Sequence, residues 1–147
     1  MRKRFWICCM VVSMAALTLG FLVHGIVLRA DYLALAPLYR TQPDASARAG
    51  WILAAYGSIG IAMTWLYVRM PAADTTAGWR GMRFGASIAM VSFVPWHLLA
   101  YVGQPLPAAL AMKQVALDVV AMLLLGLLLA WLQPERAELP LPGHADR

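Results

Sequence analysis

The segment AALAMKQVALDVVAMLLLGLLLAWL, residues 108–132, decides the fold of this chain. As an α-helix it would extend about 37 Å at ~1.5 Å per residue, which exceeds the ~30 Å hydrocarbon thickness of a bilayer. Lys113 and Asp118 are its only charged residues. The segment is therefore typical of a helix that crosses a membrane.

Three more segments are long and apolar enough to cross a bilayer. With the first, they give four predicted spans at about 5–28, 49–68, 84–102 and 108–132. None has the strict alternation of a membrane strand, which favours helices. The chain is 62% hydrophobic and only 13% charged, which leaves too little polar surface for a soluble domain. We predict an all-α fold, an integral membrane four-helix bundle.

The domain organisation follows from the two ends of the chain. Residues 1–133 are predicted to form a single four-span domain, and residues 134–147, rich in proline and charge, a flexible cytoplasmic tail. The basic start MRKR followed by an apolar run is similar to a signal peptide. That run continues from Phe5 to Leu28, beyond the usual ~7–15 residues, so we expect an uncleaved anchor.

The basic residues predict the orientation of the bundle. Eight of the 12 Lys and Arg residues lie on the side of the two termini, and four on the other side. Cytoplasmic loops carry the excess of positive charge, which favours both termini in the cytoplasm. Short loops and an Ala-, Leu- and Arg-rich composition favour the inner membrane of a bacterium. The basic residues are scattered at helix ends, and nucleic-acid binding is not expected.

Two histidines interrupt the apolar runs, in GFLVHG and in SFVPWHLLAY. His24 would lie ~6 Å inside the non-cytoplasmic end of its span, and His97 ~9 Å inside the same end. Pro95 removes a backbone donor and is expected to kink the helix beside His97, opening a small polar pocket. The two imidazoles are therefore predicted to lie at similar depth.

Asp118 is the deepest ionisable residue, roughly 16 Å into its span. An ionised carboxylate at that depth costs at least ~2.5–3.5 kcal/mol, so it must be protonated, paired or in a polar cavity. Gln114 lies one turn away on the same face. Lys113 is poorly placed to pair with Asp118 within the helix and is expected to reach the outer interface.

Three interpretations of His24, His97, Asp118 and Gln114 stay open at this point. They can hydrogen-bond across the bundle and set the helix register. They can form a binding site or polar pathway of a small transporter or proton-linked ligand-binding protein. His24 and His97 can also hold a metal ion or a haem, as in a redox membrane protein. No metal or cofactor is predicted from the spacing alone.

The runs FLVHG, GMRFGASIAM, QPLPAAL and LLLGLLLAWL resemble a group of small four-helix bacterial inner-membrane proteins of unassigned function. The resemblance implies a topology and carries no catalytic residue. No phosphate-binding glycine loop, zinc motif or nucleophile elbow is present in the sequence. We therefore predict a non-enzymatic packing, accessory or oligomer-forming subunit in the bilayer, as a homo-oligomer or part of a larger membrane complex, with the two site-based functions as alternatives.

Small residues at four-residue spacing are expected to mediate the helix contacts, because lipid gives apolar side chains no reason to cluster. The candidate series are, in order along the chain, Ala16 and Gly20; Ala54, Ser58 and Ala62, next to Gly57 and Gly60; Gly81, Gly85 and Ala89; Gly126 and Ala130.

Overall fold

A computed structural model describes residues 2–40, 42–71 and 76–133. These residues are helical, without a β-strand in the described ranges. The predicted tail, 134–147, lies outside them. The helices are α1 (Arg2–Gly20), α2 (Arg29–Ala34), α3 (Gln42–Ser46), α4 (Ala49–Tyr67), α5 (Ala77–Ile88), α6 (Val94–Gly103) and α7 (Ala108–Leu132), with π-helical segments at Phe21–Val27 and Ala89–Phe93 and a 3₁₀ turn at Ala36–Leu38.

Four continuous helices are long and apolar enough to cross a membrane, at Lys3–Val27, Ala49–Tyr67, Ala77–Gly103 and Ala108–Leu132. The third begins at Ala77, seven residues before the predicted span that starts near 84. Thr76 caps this helix, since its hydroxyl accepts a hydrogen bond from the backbone N–H of Trp79. The additional turns contain Arg80 and Arg83. A search for apolar residues missed these turns because of the two charges.

The helices pack as two antiparallel pairs, α1 with α4 and α5 with α7. Helix α7 also contacts α1, which joins the pairs. Helices α5 and α7 are in direct backbone contact. A Cβ atom on Gly126 would overlap the carbonyl oxygen of Gly81, and one on Gly85 would overlap that of Met122. The prediction that Gly81, Gly85 and Gly126 mediate helix contact is confirmed.

The face that α4 turns to α1 differs from the predicted one. The series Ala54, Ser58 and Ala62 is exposed, so that expectation was wrong. Gly60, which was named beside that series, does face α1, and a Cβ there would overlap Ser13, so this part of the expectation is confirmed. The pattern misled because each face of this helix has small residues, and only the partner helix distinguishes them.

Two ends of the bundle can be told apart by their contacts. At one end the Arg4 guanidinium donates to the Leu132 carbonyl at 2.9 Å, so α1 begins beside the end of α7. At the other end a separate apolar cluster of Val23, Leu28, Leu106 and Leu110 joins the end of the first long helix to the start of α7. Both histidines and Asp118 belong to this second end.

Candidate functional site

Two π-helical segments lie at the two histidines. His24 is within Phe21–Val27, where the Leu28 N–H donates to the Val23 carbonyl five residues back, at 2.9 Å. The segment Ala89–Phe93 ends just before Pro95, and there the Val94 N–H donates to the Ala89 carbonyl. The kink expected at Pro95 thus takes the form of a widened turn. Such turns are rare and are frequent at functional sites, because they re-aim the following side chains.

Asp118 is held by both imidazoles. The Nε2 atom of His97 lies 2.5 Å from one carboxylate oxygen, and Nε2 of His24 lies 3.3 Å from the other. His97 and Asp118 are 7% and 5% exposed. The carboxylate that the sequence placed near the centre of a span is therefore paired inside the protein, as burial of a charge requires.

A tyrosine from the loop extends this arrangement. The hydroxyl of Tyr32 lies 2.8 Å from Nδ1 of His24, and the amide of Gln114 donates to the same hydroxyl at 2.9 Å. Burial is the main reason that the pKa of Tyr32 is raised, and the phenol keeps its proton near neutral pH. We call these five residues, His24, Tyr32, His97, Gln114 and Asp118, the polar cluster.

One assignment of protons satisfies every bond in the polar cluster. With Asp118 ionised, each imidazole donates from Nε2 to the carboxylate, which leaves Nδ1 of a neutral His24 as an acceptor. Tyr32 then donates to that nitrogen and accepts from Gln114. All hydrogen bonds point toward Asp118. A further proton on His24 would reverse the Tyr32 bond without breaking it, since the hydroxyl can rotate.

An ion pair joins the residues that precede Tyr32 and Gln114 in the chain. Nζ of Lys113 is 2.9 Å and 3.0 Å from the two oxygens of Asp31. The pairs Asp31–Lys113 and Tyr32–Gln114 therefore attach α2 to α7 at consecutive positions. Lys113 finds a partner on α2 and does not reach Asp118, in agreement with the poor geometry expected within the helix.

The polar cluster forms one side of a cavity of about 420 Å³. Four aromatic rings, those of Tyr32, Tyr39, Phe93 and Trp96, contribute to its walls, and Gln104 and Leu106 complete it beside the turn into α7. A volume of this size accommodates a small organic molecule. Concave, largely apolar walls with a few convergent polar groups are typical of ligand sites.

The structure brings together all four site residues named from the sequence, His24, His97, Gln114 and Asp118, in one cavity. Sequence reasoning missed Tyr32 as a member of the polar cluster, and it missed the part of Trp96 in the wall. A weak signal was available for Trp96, since it precedes His97 directly. Tyr32 lies beyond the end of the span, and its contact with His24 depends on the turn of the chain at Leu28.

The metal and haem alternatives gain no support from the arrangement. Within residues 2–40, 42–71 and 76–133, no group of three or more His, Cys, Asp or Glu side chains is placed to hold a metal ion. Both Nε2 atoms are directed at Asp118. Binding by His24 and His97 would require these contacts to be exchanged for metal bonds, and this alternative stays a prediction.

Comparison with family models, with curated proteins and with solved structures found no match for this chain. The function proposed below therefore rests on the geometry of the polar cluster and of its cavity.

Proposed function

We propose that this chain is a four-span protein of a bacterial inner membrane that binds a small molecule in the cavity beside Asp118, with the binding linked to protons. Both termini lie in the cytoplasm, and the cavity faces the opposite side. One observation carries this proposal: two imidazoles from different helices hold the two oxygens of one buried carboxylate at a cavity wall.

The surface of the bundle supports the membrane part of the proposal. Large apolar side chains are exposed along the long helices, with Val91, Val102 and Trp131 each about four-fifths exposed. Water-soluble proteins rarely carry contiguous apolar surface of this extent. A bilayer accommodates it without cost, because its hydrocarbon is as apolar as these side chains.

The cost of the polar cluster supports the binding part. Buried ion pairs are often no more stable than apolar residues of the same volume, so stability alone gives little reason to keep one. Intramembrane ionisable groups commonly mark ligand or proton sites. In this chain the groups also face a cavity of about 420 Å³, which a purely structural hydrogen bond between helices does not need.

A binding experiment tests the proposal. The purified protein in lipid nanodiscs is exposed to fluorinated aromatic fragments in cationic, neutral and anionic sets, and binding is followed by ¹⁹F NMR. We expect saturable binding of at least one set. Trp96→Ala removes part of the cavity wall and should weaken that binding about tenfold, which corresponds to ~1.4 kcal/mol.

Trp131→Ala is the matched control. Trp131 is an exposed tryptophan of α7 that does not line the cavity, so its loss should leave the binding unchanged. If no fragment set binds saturably, or if both variants lose binding equally, the proposed function is wrong.

Thiol labelling tests the orientation. Gln104 and Arg69 are both exposed and lie at opposite ends of the bundle. In intact spheroplasts, an impermeant maleimide should label Gln104→Cys and should label Arg69→Cys only after the membrane is opened. Cys8 and Cys9 are 2% exposed, and the unchanged chain gives the background. The opposite labelling pattern would reverse the orientation, and equal labelling of both would contradict a spanning topology.

The packing or accessory role and the homo-oligomer inferred from small-residue faces stay predictions. The exposed series Ala54, Ser58 and Ala62 on α4 leaves room for a neighbouring helix, although no described contact identifies one.

A further inference from the structure

We propose that the molecule bound in this cavity is a small organic cation, a quaternary ammonium or protonated amine with an apolar or aromatic part, and that it competes with protons. This inference rests on the proposed function and names its ligand class. The juxtaposition that carries it is one buried carboxylate behind a cavity with four aromatic rings.

The charge of the cavity is the first argument. In the proton assignment above, Asp118 is the one ionised side chain in the described lining of the cavity, which in that state carries a single negative charge. The opposite charges of Asp31 and Lys113, which form an ion pair, offset each other. An electrostatic attraction inside a low-dielectric site is much stronger than in water. An anion would meet repulsion from Asp118 with no unpaired cation in the described lining to offset it.

The free hydrogen-bonding groups are the second argument. In the proton assignment above, the N–H groups at Nε2 of both imidazoles and the Tyr32 hydroxyl are already used. The polar cluster then still offers acceptors at the carboxamide oxygen of Gln114 and the remaining lone pairs of Asp118, against one donor, the second amide N–H of Gln114. A ligand that donates hydrogen bonds, or simply carries positive charge, meets these groups better than one that accepts.

The aromatic walls are the third argument. Tyr32 and Tyr39 meet edge to face with ring centroids 5.3 Å apart, and Phe93 and Trp96 contribute the rings of the helix that holds His97. Aromatic faces attract cations through the ring quadrupole, by ~0.5–2 kcal/mol per contact. Rings around an ammonium group replace its hydration while Asp118 supplies the opposite charge.

Competition with protons follows from the neighbours of Asp118. The titratable groups around it are His24 from the first long helix, His97 from α6, Tyr32 from α2 and Tyr56 from α4. Lys113, on α7 itself, is engaged with Asp31. Protonation of one imidazole makes the cluster neutral, and protonation of both makes it positive. The site then loses its attraction for a cation, and a cation that binds while an imidazole is protonated should expel that proton.

Isothermal titration calorimetry in nanodiscs tests the inference with three probes of similar size: benzyltrimethylammonium, uncharged N-benzylacetamide and anionic phenylacetate. Empty nanodiscs are the blank. The cation should bind at least about tenfold more tightly than the other two. Its affinity should fall about tenfold when the pH is lowered from about 8 to about 5.5, a window that spans the charge change of ordinary histidines. At the lower pH, buffers of different ionisation enthalpy should report proton release.

Two variants assign the effect to the cavity. Asp118→Asn removes the charge with little change of shape and should weaken binding of the cation about tenfold more than binding of N-benzylacetamide. Because this variant acts in the core and can fail to fold, Trp96→Ala is the second test. It should weaken binding of the cation, whereas Trp131→Ala should leave that binding unchanged.

The outcomes separate the two proposals. If phenylacetate or N-benzylacetamide binds more tightly than the cation, and Trp96→Ala weakens that binding, the assignment of a cation as ligand is wrong and the binding function is kept. If binding of the cation does not change with pH, the proposed competition with protons is wrong. Saturable binding of none of the three, with none of the wider fragment sets binding either, overturns the function and the ligand class together.

Discussion

His97→Leu should lower the free energy of unfolding by about 3–5 kcal/mol, the usual cost of removing the partner of a buried charge. His97 provides the 2.5 Å contact to Asp118, and both side chains are more than nine-tenths buried. Leucine supplies no donor, so the carboxylate would keep only the longer contact to His24, at 3.3 Å. Reversible unfolding in mixed micelles, followed by circular dichroism, measures the change.

The double variant His97→Leu/Asp118→Leu should be more stable than His97→Leu alone. Removing the carboxylate eliminates the stranded charge, and two leucines fill the space with apolar groups. His24 would then lack its acceptor, at a cost of about 1–3 kcal/mol, so the recovery is partial. A double variant that is less stable than the single one, or a single variant within about 1 kcal/mol of the unchanged protein, would contradict this account.

The same pair of variants separates stability from function. If the double variant regains stability and still fails to bind any fragment, the polar cluster is kept for binding and not for folding. Binding retained in the double variant would show that the cavity works without the cluster.

Gly126→Ala should destabilise the folded bundle by about 1–3 kcal/mol, as overpacking does in a close-packed interior. The new Cβ would overlap the carbonyl oxygen of Gly81 and lie 2.9 Å from the backbone nitrogen of Gly85. Backbone atoms cannot move aside as a flexible side chain can, so α5 and α7 must separate. Thermal unfolding of the two proteins in the same detergent measures the difference.

Gly57→Ala is the matched control for this change. It is the same substitution within a long helix, and a Cβ at Gly57 meets nothing within 4 Å. Alanine has the higher helix propensity, by ~0.5–1 kcal/mol, so this variant should be as stable as the unchanged protein or slightly more so. Equal destabilisation by both substitutions would show that the α5–α7 contact is looser than the structure indicates.

The depth of the polar residues could be predicted because rise per residue is constant along a helix. His24 and His97 were placed at similar depth, and Asp118 near the centre of its span, from their distances to the span ends alone. The partner of each residue could not be read in this way. Depth says nothing of the rotation of a helix about its axis, and that rotation decides whether Asp118 faces His97 or lipid.

The error at α4 has the same origin. Its series Ala54, Ser58 and Ala62 has the spacing of a contact face and is exposed, whereas Gly60 and Tyr67 are buried. Hydrophobic patterning identifies the inner face of a soluble helix because water and core differ. Helix α4 has apolar residues on all of its faces, so its pattern does not distinguish the inner face from the outer one.

The sequence alone determines that this chain is helical, with four apolar segments of membrane-crossing length and three ionisable residues at depth. Length, hydropathy and rise per residue are local properties, and a sequence shows them directly. The tertiary structure alone decided that two imidazoles share one carboxylate and that Tyr32 turns back to complete the cluster. Those contacts join residues 8 to 94 positions apart in the chain. They accompany the close approach of α5 to α7 through glycine and the two widened helical turns at the histidines.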